Sequence, residues 1–192
     1  VLFDAADGLV NPTETALDLI NKRIYWSDQD ANQIVRGNLD GSGTPKVLFD
    51  AADGVNGSYG VALTIFGKFI YWVEFGSKQV KRGNADGSGS PVVLFDGTDG
   101  LLEPYDIAID QLGKTLYLVD SPSGDPAQQR ILKGNIDGSG ALTTLFDQAD
   151  GVDNCFSIAF DKVANQIIGS TPDLSLARAD STGAAPTEVA LR

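Results

Sequence analysis

The chain has 192 residues, with 14 Lys plus Arg against 26 Asp plus Glu, no histidine and a single cysteine, Cys155. That length suits one domain of ordinary size, and a formal charge of −12 disfavours the basic footprint needed to track nucleic acid or an anionic membrane. The lack of histidine excludes Ser-His-Asp and Cys-His catalysis, one cysteine allows no internal disulfide, and no apolar run approaches the roughly 20 residues of a membrane helix.

In chain order, the first segment is Val1-Leu2-Phe3-Asp4-Ala5-Ala6-Asp7-Gly8. It returns at residues 47–54, 93–100 and 144–151, with Phe3, Phe49, Phe95 and Phe146 spaced 46, 46 and 51 apart. A repeat of this period is the first thing to settle, because it decides the whole fold. Each repeat predicts four strands. Strand A (15–18, 61–64, 107–110, 158–161) is short and β-branched or apolar, which suits burial on both faces. Strand B (23–27, 69–73, 115–119, 166–169) is rich in Ile, Tyr, Trp and Val, which fit a pleated surface. Strand C covers 33–37, 79–83, 131–134 and roughly 174–177. The Asn-x-Asp-Gly-Ser-Gly turns at 38–43, 84–89 and 135–140 then lead into strand D, the Val-Leu-Phe-Asp segment, which closes the last repeat at 187–191. No window predicts a long helix. Four hairpin-linked strands per repeat match one β-propeller blade. The expected fold is therefore all-β, a single propeller domain over residues 1–192 built of four-stranded antiparallel blades, with repeats at about 1–46, 47–92, 93–143 and 144–192.

Ile24-Tyr25-Trp26-Ser27-Asp28, followed by residues 33–42 and Val47-Leu48-Phe49, resembles the YWTD repeat, the class B repeat of low-density lipoprotein receptors. The resemblance spans essentially the whole chain. It continues in Tyr71-Trp72-Val73-Glu74 and, more weakly, in Tyr117-Leu118-Val119-Asp120; Ile168-Gly169-Ser170-Thr171 departs from it. It implies an extracellular or cell-surface propeller whose aromatic pairs pack within and between blades. It also implies that Asp28, Glu74 and Asp120 make structural hydrogen bonds, a role that Thr171 puts in doubt for the last repeat. Propellers of this family usually have six blades, whereas four repeats are present here. Either a partial six-bladed or a compact four-bladed propeller fits. The leading strand formed by Val1, Leu2, Phe3 and Asp4 belongs to no repeat of its own and is a candidate for assembly, because unpaired edges template association.

Alternating strands place the D–A and B–C loops on one face and the A–B and C–D turns on the other. The third repeat is lengthened by an insertion at 121–129, containing Asp125, on the D–A/B–C face, where insertions in repeat arrays often mark binding. At the entry to strand A stand Tyr59, Tyr105 and Phe156, a candidate ligand platform with Glu103 and Asp106 close by in sequence; plain packing is the competing reading. The repeated aspartates offer oxygen ligands for calcium, yet Asp-Gly also serves turns for conformational reasons alone, and no cofactor is expected. The leading expectation is a non-catalytic binding or scaffold module that recognises a protein or glycan. The alternatives are a self-assembling subunit joined through open blade edges and a calcium-dependent lactonase-like hydrolase.

Overall fold

The structure, a computed structural model, describes residues 1–64, 66–122, 125–152, 155–170, 176–183 and 187–189. The chain divides into two compact units, Val1–Asp96 and Gly97–Arg192. The first holds β1 (Pro12–Asp18), β2 (Arg23–Asp28), β3 (Gln33–Asn38) and β4 (Lys46–Phe49) as one antiparallel meander, then β5 (Ser58–Leu63), β6 (Phe69–Glu74), β7 (Gln79–Asn84) and β8 (Val92–Phe95) as a second. The second unit holds β9 (Pro104–Asp110), β10 (Thr115–Asp120), β11 (Arg130–Asn135) and β12 (Thr143–Asp147), then β13 (Ile158–Asp161), β14 (Gln166–Ser170), β15 (Leu176–Asp180) and β16 (Thr187–Val189). Every sheet runs in sequence order, so the fold is all-β with four four-stranded propeller blades.

Blade registers repeat down to their irregularities. The A–B pairing slips between Pro12 and Thr15 in the first blade and between Ser58 and Val61 in the second. The C–D pairing slips at Ile34/Val35, Val80/Lys81 and Ile131/Leu132. Such bulges strengthen the local twist that a propeller blade requires.

Packing between neighbouring blades of a unit rests on the phenylalanine of strand D. In the first unit Phe49 stacks on Trp72 of the next blade, centroids 5.4 Å apart and planes at 22°, with Tyr25, Ile34, Val61 and Ile70 in the same buried cluster. The ring lies directly over Gly83, where any Cβ would overlap it. That strand position is glycine because an aromatic face takes the space of a side chain. In the second unit Tyr117, Ile131, Phe146, Ile158 and Ile167 form the equivalent cluster.

Two expectations are corrected. Residues 1–4 form no strand, yet Phe3 stacks on Trp26 (5.4 Å, 28°) over Gly37, as Phe49 does on the next blade. The segment thus supplies its side chain to the first blade without ladder bonds. Strand A is buried on both faces in β9 alone; β5 leaves Ala62 and Leu63 partly exposed. In β1 Thr15 and Leu17 are exposed, Leu17 at 53%, and in β13 Ala159 is exposed. Within its unit β1 packs against β5, and β13 against β9, so each of these two strands leaves a side open.

Among the described residues, no helix is long and apolar enough to cross a membrane. What the sequence left as loop after strand D is a one-turn 3-10 helix, at Ala5–Asp7, Ala51–Asp53, Gly97–Asp99 and Gln148–Asp150. Asp4 Oδ1 accepts from the N–H of Ala6, Asp7 Oδ2 accepts from the N–H of Asp4, and Gly8 closes the turn at φ +94°. This is a reciprocal capping box, and it recurs at Asp50/Asp53 and Asp147/Asp150.

Candidate functional site

The two loop sets meet as strand alternation predicts. Backbone bonds join the D–A and B–C loops (Gln29 N–H to Asn11 O, Phe75 N–H to Gly57 O, Ser121 N–H to Glu103 O) and, on the other face, the A–B and C–D turns (Leu39 N–H to Lys22 O, Ile136 N–H to Lys114 O). The acidic residue ending strand B organises the first set. Asp28, 1% exposed, accepts the N–H groups of Val10 (2.8 Å) and Asn11 (2.9 Å); Asp120 accepts those of Leu102 (3.1 Å) and Glu103 (2.7 Å). Glu74 departs from this pattern. It accepts from the indole N–H of Trp72 (2.8 Å), from Ser77 Oγ and from Lys81 Nζ, while the loop amide of Gly57 donates instead to Asn32 Oδ1 of the preceding blade (2.7 Å). Thr171, the fourth equivalent, lies outside the described residues.

Cations complete two of these sites. In the second blade Lys81 Nζ bridges Glu74 Oε2 (3.0 Å) and Gly54 O (2.5 Å); in the third Arg130 bridges Asp120 Oδ2 (2.8 Å) and Gly100 O (2.5 Å). Nothing in the repeat pattern singles out these cations. The clue that was there is positional: Arg130 occupies the first position of its strand and Lys81 the third, so both project to one side.

Of the platform candidates, Tyr105 and Phe156 come together at the entries to β9 and β13, ring centroids 5.2 Å apart in an edge-to-face arrangement at 73°. Phe156 stays 50% exposed, and its N–H, with that of Ser157, donates to Ser170 Oγ at the end of β14. Tyr59, in the other unit, tilts against Phe75 at 6.0 Å, and its carbonyl accepts from Ser27 Oγ. Asp106 is buried and inward-directed: its oxygens accept the N–H groups of Ile107 (2.7 Å) and Ile158 (2.8 Å), clamping the two blades. Glu103 is half-buried beside Leu102. Asp125 caps a short turn at Pro126–Gln128 through Ala127 N–H (3.0 Å) and Gln128 Nε2 (2.7 Å); residues 123 and 124 of that insertion lie outside the described residues.

The aspartates weighed for calcium have turn duties. Beyond the capping boxes, Asp40 Oδ1 accepts from the N–H and Oγ of Ser42 while Asn38 Nδ2 donates to Ser42 O, and the same ring of contacts recurs at Asn135–Asp137–Ser139. Among the described residues no group of three His, Cys, Asp or Glu converges as a metal site. Cys155 is buried, its thiol donates to Ser157 O (3.5 Å), and burial pushes its pKa up, away from a reactive thiolate.

These blades are similar in fold to several solved propellers. One is a chain in a nidogen/laminin complex (TM-score 0.76, 23% identity, covering 88% of this chain and 60% of that one). Others are a gluconolactonase from Xanthomonas campestris (0.68, 21%, 95% and 63%) and a catalytically inactive virginiamycin B lyase from Staphylococcus aureus with quinupristin (0.70, 14%, 94% and 55%). This chain thus spans between 55% and 63% of their lengths, and at these identities the likeness is one of fold. No protein-family model and no curated protein matches the chain.

Proposed function

We propose that this chain is a non-catalytic, YWTD-type propeller module of the extracellular space or cell surface that recognises a protein or glycan through its D–A/B–C loop face. The observation that carries this reading is the Tyr105–Phe156 pair, an aromatic platform held edge-to-face and half open to solvent where two innermost strands begin. Aromatic faces of this kind grip sugar rings and apolar side chains at low entropic cost. The reading is further supported by Cys155 and Asp106, which are buried and internally bonded rather than offered to a substrate. The test is saturation-transfer NMR of the chain with a defined oligosaccharide panel, and panning of a displayed peptide library. Binding that survives chelation and falls on Phe156→Ala supports the reading; binding indifferent to both Tyr105→Ala and Phe156→Ala, or turnover of a lactone lost with chelator, refutes it.

Self-association is a second reading, favoured by the exposed side chains of Thr15 and Leu17 on β1 and, at the Gly41 turn of the same unit, by Val1 and Leu2, at 110% and 47% exposure. Light scattering of the intact chain and of Leu17→Lys discriminates it from a monomeric module.

A further inference from the structure

We propose that the first blade carries a seat for a cationic side chain from outside this chain, a primary alkylammonium such as a lysine presented by a partner protein. The same place in three blades differs in one respect. In the second, the stem of Lys81 runs inward, 5% exposed, and its ammonium joins the turn glycine carbonyl of Gly54 to Glu74. In the third, the guanidinium of Arg130 joins Gly100 O to Asp120. Two different residues on two different positions of strand C thus deliver one positive charge to one constellation.

The first blade has the constellation without the charge. Gly8 and Asp28 stand where Gly54 and Glu74 stand, but Val35 replaces Lys81 and Gln33 replaces Arg130. Asp28 is as buried as its counterparts and is held by backbone amides, and among the described residues it has no ion pair. The indole N–H of Trp26 differs from its counterpart as well: it is buried and has no partner, whereas that of Trp72 donates to Glu74. An ammonium has donors only, so this group is a reporter beside the seat and not a part of it. Glu74, one methylene longer, reaches the indole and leaves the loop amide to Asn32, whereas Asp28 holds the loop amides and does not reach the indole. A cleft of about 260 Å³ remains, walled by Trp26, Val35, Pro45 and Val47, with Asp28 and Gly8 among its lining and Asp7 at the rim. Apolar walls around a buried carboxylate suit a butyl stem ending in an ammonium, which Lys81 provides elsewhere in this chain. A chain of net charge −12 also draws cationic partners toward it. The seat uses neither Tyr105 nor Phe156, so it stands or falls separately from the loop-face reading.

The test exploits the two tryptophans, Trp26 and Trp72, whose indole N–H signals in a ¹H–¹⁵N spectrum are assigned with Trp26→Phe. The full chain is titrated with the peptide acetyl-Gly-Lys-Gly-amide, its norleucine analogue and n-butylammonium. The lysine peptide should move the Trp26 signal saturably and leave that of Trp72 in place, and the norleucine peptide should do neither. Val35→Lys, which supplies the ammonium internally, should abolish the shift and raise the melting temperature; Asp28→Asn should weaken binding roughly tenfold or more through loss of a charge-assisted bond. Should Asp28→Asn fail to fold, Val35→Lys and the peptide pair still decide. A Trp26 signal unmoved by the lysine peptide, moved equally by norleucine, or still titrating in Val35→Lys overturns the proposal. Response to n-butylammonium alone overturns the partner protein as its source.

Discussion

Replacing Phe49 by alanine removes the ring that joins the first two blades. Phe49 is 1% exposed, stacks on Trp72 and covers Gly83. Emptying such a site costs about 3–5 kcal/mol, of which the ring pair itself accounts for about 0.5–1.5. Phe3 is an internal control. It makes the same stack on Trp26 over Gly37, but it is only partly buried and its segment forms no strand, so Phe3→Ala is expected to cost about half as much, roughly 1.5–2.5 kcal/mol. Gly83→Ala attacks the same joint from the other side by overpacking, at about 1–3 kcal/mol. In the Phe49→Ala background that methyl enters vacated space, so most of its cost should vanish, a coupling that a double-mutant cycle measures. Urea melts followed by tryptophan fluorescence suit the purpose, since Trp26 and Trp72 both lie in the first unit and report on it whatever the second does. Equal costs for Phe49→Ala and Phe3→Ala, or additivity of Gly83→Ala with Phe49→Ala, would refute the reasoning.

The other predictions concern charge, pH and the platform. Lys81→Met strands Glu74 at 0% exposure without its cation and should cost about 3–5 kcal/mol, whereas Lys81→Val combined with Glu74→Asp, the first blade's own residues, should recover most of it in the same melts. Burial raises the phenols of Tyr25 and Tyr117 and the thiol of Cys155 above 10.0 and 9.0, so the unfolded chain releases these protons first. Stability is therefore full below those values and declines as pH rises through them; a melting temperature that holds or climbs in that range would contradict the assignment. At the acid end the Ser42 hydroxyl holds Asp40 below 3.8, giving a contribution present above that value and lost as pH falls through the lower, folded one. Ser42→Ala should move the Asp40 titration upward by carboxyl NMR. Phe156→Ala, on an exposed ring, should leave stability within about 0.5 kcal/mol while removing ligand binding.

Much of the architecture was legible because the repeat carries its own register. Phenylalanine, tyrosine and Asp-Gly recur at fixed offsets, and an antiparallel meander then assigns every loop to a face. The capping boxes were legible too, since Asp-x-x-Asp-Gly spaces an N-cap and its reciprocal acceptor correctly; the eye passes over them because one turn of 3-10 helix has no hydrophobic period. Exposure of Thr15 and Leu17 could not be read, because it depends on which neighbour a strand has rather than on the strand. Tyr105 and Phe156 share the repeat position at the entry to strand A, and they do meet. Asp106, expected close to them as a candidate ligand carboxylate, turns inward, since the Ile158 N–H of the next blade captures it, a contact no local pattern in the sequence announces.

The charge pattern around strand B follows a rule of strand register. Within a strand, positions one and three share a face, so a cation can reach the same buried acid from either. Lys81 and Arg130 do this in separate blades, which means that the requirement is set by the acid and the turn carbonyl and not by any one residue. A requirement met twice by different means is a physical constraint rather than an accident of ancestry. Asp28 shares the burial and backbone bonds of Asp120 and lacks only the counter-charge, so its blade is either stabilised less than its neighbours or completed by something else. The Val35→Lys variant decides between these: a stability gain with no loss of binding assigns the gap to the blade alone, and a gain that displaces a lysine ligand assigns it to a partner.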